Sequence, residues 1–280
     1  MTQLAYTRLI KQLLFSRPID IPVFHEIALR LQQMMSAHSY RIEEAIKLVH
    51  EDTALAAEML RQANNTYNSG KTPITTIKDA IVRLGSQQIV NLAFTASMAN
   101  SKSDDPVINS HLKQLWHHSH AVAITSAWLA VQVSHDNNIC DVNADEVYLA
   151  GLFHDIGKLY LLKSIDKLIN VSILNVNDEL IYDIVDELNI QLGIRVLKHW
   201  NIPEIYSNTL ERLSTESWQC GTNDILVASV RLSCKIFQFI DLGIEVTDTS
   251  PEYKLIEDEL LLLNIDDVAH MYNMIKAISC

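Results

Sequence analysis

Apolar side chains recur along most of this chain at the three- and four-residue spacing of a helix face. Phe24, Ile27, Ala28 and Leu31 form the first such stripe, and Ile42, Ala45, Ile46 and Val49 the second. Leu55, Met59 and Ala63 follow, with Asp52 placed to cap the helix start and Asn64-Asn65 to end it. Asn68, Ser69 and Gly70 read as loop, Tyr67 as a packing residue. Thr76 and Asp79 open a capping-box-like start before Ala80, Ile81 and Leu84. Gly85 stands where a left-handed turn residue is wanted, and Ser86 is expected to cap the next helix, carrying Ile89, Val90, Ala93 and Phe94. Ahead of all these, Leu4, Arg8, Lys11 and Leu14 fit an amphipathic helix, with Pro18 and Pro22 bracketing a loop.

The polar stretch Ser101 to Asn109 is the natural break, dividing an N-terminal helical subdomain (1–103) from a second one (104–280). Leu115 to Val133 then reads as a long helix, with a polar loop from His135 to Asp141. Asn143 and Glu146 suit the start of a helix running toward Gly151 and His154. A long segment from Asp183 to Trp200 stops ahead of Pro203, because proline disfavours helix at the residue before it. Ser250-Pro251 is a cap and first-turn pair for a helix through Leu262, and Asp266 or Asp267 caps a last short helix. Residues 76–98 have the outline of a DNA-binding helix-turn-helix. No Lys or Arg occurs from Ser86 to Asn100, so Gln87, Gln88 and Asn91 would lack the phosphate anchors that base readout needs. A structural helical corner is the better account.

Composition supports an all-α fold: of 280 residues only 7 are Gly and 6 Pro, while 48% are hydrophobic, enough for a substantial core. The expected architecture is an N-terminal helical lobe packed on a second multi-helix lobe. Charge is uneven. Residues 1–105 carry 11 basic and 10 acidic side chains, and residues 106–280 carry 11 and 24, a balance that disfavours nucleic-acid duplexes and suits a basic partner. Cys140, Cys220, Cys234 and Cys280 form no C-x-x-C pair, so paired-thiolate zinc binding is not expected, and free thiols in a reducing cytoplasm are. Arg8 and Lys11 break the N-terminal apolar stretch, which argues against a signal peptide, and no apolar run reaches bilayer length.

The chemistry concentrates in Ala150-Gly151-Leu152-Phe153-His154-Asp155-Ile156-Gly157-Lys158. Adjacent His and Asp on a helix point about 100° apart and still reach one ion beside it. An imidazole and a carboxylate suit one divalent ion such as Mn, Fe, Co, Ni or Zn. Such an ion polarises a phosphoryl oxygen and activates water. Lys158, one turn on, is placed to meet a phosphate. His118, within Trp116-His117-His118-Ser119, supplies a second imidazole from a neighbouring helix, whereas His117 and His120 point elsewhere. Trp116 and Trp200 read as core aromatics.

The string GLFHDIGK, preceded by LWHHSHAVA, resembles the HD metal-dependent phosphohydrolase superfamily. HEDTALAAEMLRQANNTY, PITTIKDAIVRLGSQQIVNLAF and LGIRVLKHWNIPEIY narrow the resemblance to the HDOD output domain of bacterial signalling proteins, over about residues 18 to 215. The resemblance implies an all-α regulatory module that binds a protein partner or a small phosphorylated ligand. It also implies a metal set of His118, His154, Asp155 and a distant Asp. That Asp falls at Cys234 or its neighbour, with Asp224 and Asp241 more than a turn away, so the set is incomplete. Further histidines of fuller sites fall near Asn189 and near Arg212-Leu213, so a two-metal centre is not expected. Two other readings stand beside the regulatory one: a phosphohydrolase or phosphodiesterase using His154, Asp155 and Lys158, and a ligand-free scaffold.

Overall fold

The computed structural model describes residue 12 and residues 25–36, 41–65, 73–137, 142–170, 178–214, 222–247 and 249–279. The expected N-terminal amphipathic helix, the Pro18–Pro22 loop, Phe24, Tyr67, the loop at 68–70, Cys140, Cys220 and Cys280 lie outside the described residues. Among the described residues every regular element is helical.

The chain divides into two compact units, residues 1–105 with 199–202, and residues 106–198 with 203–280. In the first unit, α1 (Glu26–Ser36), α2 (Ile42–His50), α3 (Thr53–Ala63), α4 (Ile77–Leu84) and α5 (Ser86–Ala99) follow in order. Their boundaries have local causes. Asp52 accepts the N–H groups of Ala54 and Leu55 at 3.0 Å each, satisfying donors that a helix start leaves orphaned. Asn64 ends α3 and ties it to the next segment, its amide donating to Leu60 and Ile74 carbonyls and accepting the Ile74 N–H. Thr76 accepts the Asp79 N–H at 3.1 Å. Gly85 has φ 81° and ψ 163°, a region open essentially to glycine and different from the left-handed helical turn expected. With Gly85 as the cap, Ser86 is the first residue of α5 and makes no side-chain cap.

The α4–α5 corner is tightly packed. Ile89, Val90, Asn91, Leu92, Ala93 and Phe94 of α5 are all buried, so Asn91 is spent on the interior of its own unit.

The second unit holds α6 (Pro106–Asn137), α7 (Ala144–Phe153), α8 (Ile156–Asn170), α9 (Asp178–His199), α10 (Glu204–Leu213) and α11 (Thr222–Asp241), then a short 3-10 turn (Pro251–Leu255), α12 (Glu257–Leu262) and α13 (Val268–Ser279). Here the helix expected over 115–133 extends at both ends, and Pro106 starts it from within the polar stretch. The single helix expected from Ser250 breaks at Ile256. Asn143 and Asp267 cap as expected, accepting the N–H groups of Asp145 and His270.

Close crossings set the frame of this unit. A Cβ on Gly151 would stand 2.7 Å from the Ala123 Cα, so glycine lets α7 lie directly on α6. Ser126 of α6 donates to the Val122 carbonyl and lies 3.1 Å from the Ser233 hydroxyl of α11, a polar contact inside an otherwise apolar seam. These crossings bring His118, five residues before Ala123, His154, three after Gly151, and Cys234, next to Ser233, toward one point.

Candidate metal centre

His154 and Asp155 occupy the turn between α7 and α8, not the middle of one helix as expected from the sequence. Asp155 begins α8, its carbonyl accepting the N–H groups of Lys158 and Leu159. The turn frees both side chains to face the same side. They are buried, His154 at 5% and Asp155 at 4% exposure.

The imidazole of His154 is oriented by its own helix. Its Nδ1 lies 2.6 Å from the Gly151 carbonyl, which only accepts, so Nδ1 carries the proton and Nε2 points away. This is the arrangement that presents a metal-binding lone pair in a fixed direction. Nε2 faces His118 Nε2 at 3.3 Å and Asp155 Oδ2 at 3.3 Å. His118 Nε2 lies 3.9 Å from the same oxygen. The Cys234 Sγ completes the group, with the donor atoms of His118, His154 and Cys234 all within 4.8 Å of one another. His118 also meets the Phe237 ring edge-on, one turn along α11.

Asp155 is held from its other side as well. The Lys158 N–H can only donate, so Asn189 turns Oδ1 toward it at 3.0 Å and donates from Nδ2 to Asp155 Oδ1 at 2.7 Å. Lys158 Nζ stands 3.1 Å from Asp155 Oδ2 and 3.4 Å from Asp186 Oδ1. Burial would raise the Asp155 carboxyl, but His154, then Lys158 and His118, hold it well below the usual carboxylate range. Burial likewise opposes the Cys234 thiolate, yet the neighbouring His154 and His118 bring the thiol down to about 6. Anionic oxygen and sulfur against two imidazoles form a donor set that fits one divalent ion of the zinc, cobalt or iron kind.

The structure thus brings together His118, His154 and Asp155, as the sequence anticipates, and places Lys158 beside them in an ion-pair network. Cys234 stands where the distant carboxylate was sought. What the sequence reading missed is that its thiol itself stands with the two imidazoles: the spacing rule looks for paired thiolates and has no view of a single Cys delivered by tertiary packing. Asn189 and Asp186 were missed as partners of Asp155 and Lys158. Asp241 lies on the wall of the adjoining cavity, and the Asp224 side chain lies outside the described residues. His117 is exposed, while His120 stacks on Trp116 at 4.6 Å and meets the Tyr148 hydroxyl.

Beside the centre opens a cavity of about 930 Å³, lined among others by His117, His118, Asp155, Lys158, Asp186 and Phe237. It has the size of a small-molecule or peptide pocket. No described helix is long and apolar enough to cross a membrane.

Comparison with known proteins agrees with this architecture. A candidate metal-dependent phosphohydrolase from Shewanella amazonensis SB2B superposes with a TM-score of 0.70 at 20% identity, covering 99% of each chain. An HDOD domain protein of unknown function from Geobacter sulfurreducens gives 0.60 at 20%, covering 98% of this chain and 95% of its own. A candidate signal transduction protein from Marinobacter aquaeolei VT8 gives 0.57 at 18%, covering 98% and 65%. At these identities the likeness is one of fold. Among curated proteins nothing matches. The HDOD domain profile matches residues 21–214, more than half of the chain, and the protein therefore belongs to the HDOD family.

Proposed function

We propose that this protein is a regulatory HDOD module that signals by binding a partner protein at the cleft of its second unit, without hydrolysing a substrate. One observation carries this reading: both oxygens of Asp155 already have protein partners, and among the described residues no second carboxylate stands beside them to bridge two ions. Oδ1 takes the Asn189 amide, and Oδ2 faces the two imidazoles and the Lys158 ammonium. Phosphodiester cleavage by two-metal clamping needs carboxylate oxygens that reach both ions. An ion held by His118, His154 and Asp155 would supply Lewis acidity when bound. The protein's own groups do the rest. Asn189 orients Asp155, Asp186 holds Lys158, and the Gly151 carbonyl fixes the His154 tautomer.

A protein partner is favoured over a small phosphorylated ligand because Lys158, the cation placed for a phosphate, is already matched by two carboxylates. A phosphate entering the cavity would compete with Asp186 for the Lys158 ammonium. The excess of acidic side chains in residues 106–280 adds long-range attraction for a basic surface.

The test is a turnover screen of the purified chain. With Mn, Ni or Zn added, p-nitrophenyl phosphate, its bis-ester and common nucleotides are expected to show no hydrolysis above a His154→Ala, Asp155→Ala control. Turnover lost in that control would overturn the reading and establish the phosphohydrolase instead. A thermal upshift with nucleotides but no turnover would identify a phosphorylated ligand as the effector.

A further inference from the structure

We infer that Cys234 is a metal ligand, and that with His118, His154 and Asp155 it makes a mononuclear site of two nitrogens, one oxygen and one sulfur, of the kind that holds zinc. The inference goes beyond the regulatory reading and does not depend on it, since a thiolate site can exist whether or not the cleft binds a partner.

The distances support it. Two ligands at about 2.0–2.1 Å from one zinc ion at tetrahedral angles stand ~3.3–3.4 Å apart. His118 Nε2 and His154 Nε2 are 3.3 Å apart, and so are His154 Nε2 and Asp155 Oδ2. The third edge, His118 to Asp155, is longer at 3.9 Å. His118 is the one of the three with freedom to close it, its side chain being 27% exposed against 6% for each of the other two. The Cys234 Sγ lies within 4.8 Å of both imidazole donors and comes from α11, a helix that contributes none of the other donors.

The ring orientation gives independent support. With His154 Nδ1 donating to the Gly151 carbonyl, Nε2 is the ring nitrogen aimed at His118 Nε2 and Asp155 Oδ2. A second-partner hydrogen bond that fixes the ring in this way is the usual company of a metal-ligating imidazole. Thiolate in place of a second carboxylate softens the site, shifting preference from manganese or magnesium toward zinc, cobalt or iron. With four protein donors the coordination is closed, the pattern of structural zinc sites, where catalytic ones keep a position open for water. Lys158 is not an obstacle, because Asp186 offers it a second carboxylate when an ion takes its share of Asp155 Oδ2.

Cobalt is the probe, since a thiolate ligand announces itself in the spectrum. The full chain is stripped with chelator and titrated with Co²⁺. The expected result is one ion per chain, with visible bands of four-coordinate cobalt and a near-ultraviolet thiolate-to-cobalt charge-transfer band. Cys234→Ser should lose that band and weaken zinc binding by more than about a hundredfold, the upper end of what losing a mere outer partner costs. Cys234→Asp should lose the band and keep the ion, which separates loss of sulfur from loss of the fold. Circular dichroism checks that each variant is folded. Cobalt bound without the charge-transfer band, a Cys234→Ser spectrum equal to the parent, or folded parent protein that binds no ion would each overturn the inference. A missing band would leave the regulatory reading intact, and phosphatase turnover would end that reading while leaving the band in place.

Discussion

Replacing Gly157 with alanine tests the geometry behind the centre most sharply, because local and tertiary arguments give opposite signs. Gly157 lies in the first turn of α8. By helix propensity alone, Gly→Ala in a helix stabilises by up to about 1 kcal/mol. The structure puts a Cβ at that position 1.9 Å from the Asn189 carbonyl oxygen, 2.7 Å from its carbon and 2.8 Å from the Asn189 Oδ1. The nearest of these atoms is backbone inside α9, so no rotamer change relieves the clash. Ordinary contact needs ~3.3 Å or more, and α8 and α9 would have to part by over an ångström in a tightly packed interior. Overpacking of that kind costs about 1–3 kcal/mol. The same movement pulls the Asn189 amide from Asp155 and Lys158, and leaving a buried polar group unmatched adds ~1–3 kcal/mol. A net loss of about 3 kcal/mol corresponds to a fall in Tm of roughly 6–12 °C for a domain of this size. Thermal and urea unfolding measure it, with Ala123→Gly, which loosens a different crossing, as a comparison. A Gly157→Ala protein as stable as the parent, or more so, would show that α8 and α9 do not approach as described.

Other outcomes follow from the same contacts. Asn189→Asp sets a carboxylate against Asp155 Oδ1, where an amide now donates at 2.7 Å. It should destabilise more than Asn189→Leu, which merely removes the donor at a cost of ~1–3 kcal/mol, and urea midpoints rank the two. Asp155→Asn leaves Lys158 with Asp186 alone, and because the lysine is partly exposed the cost should be about 1–3 kcal/mol, below the range for breaking a fully buried pair. Glu259 is buried at 1% exposure, with Lys235 Nζ at 2.8 Å and Arg231 at 3.8 Å. Glu259→Ala removes the buried carboxylate both cations face, leaving them on the Leu255 and Arg212 carbonyls, and should cost about 2–4 kcal/mol, read by chemical denaturation, with no change in metal content. Cys234→Asp is expected to retain the bound ion, which elemental analysis of the purified variant checks.

Periodicity and end signals decided the local structure here. Leu55, Met59 and Ala63 are buried at the spacing that announced them, and Asp52, Thr76, Asn143 and Asp267 cap where their short side chains can reach a free N–H. These are interactions over a few residues, so a sequence window contains everything that determines them. The same is true of the all-α class. His118, His154 and Asp155 were legible as one cluster only through the family resemblance, which supplied the link between segments 36 residues apart. Other features rest on contacts between segments remote in sequence. Cys234 reaches the two imidazoles only because α11 packs on α6, where Ser126 meets Ser233. Asn189 clamps Asp155 only because Gly157 admits the backbone of α9. Lys158, which alone reads as a phosphate anchor, is neutralised by Asp186 across a helix pair. The sequence determined the helical class, most helix starts and the apolar stripes those helices bury. Tertiary packing decided which thiol, amide and carboxylate meet at the centre, because a hydrogen bond or a shared ion depends on separations of a few tenths of an ångström that no spacing along the chain encodes.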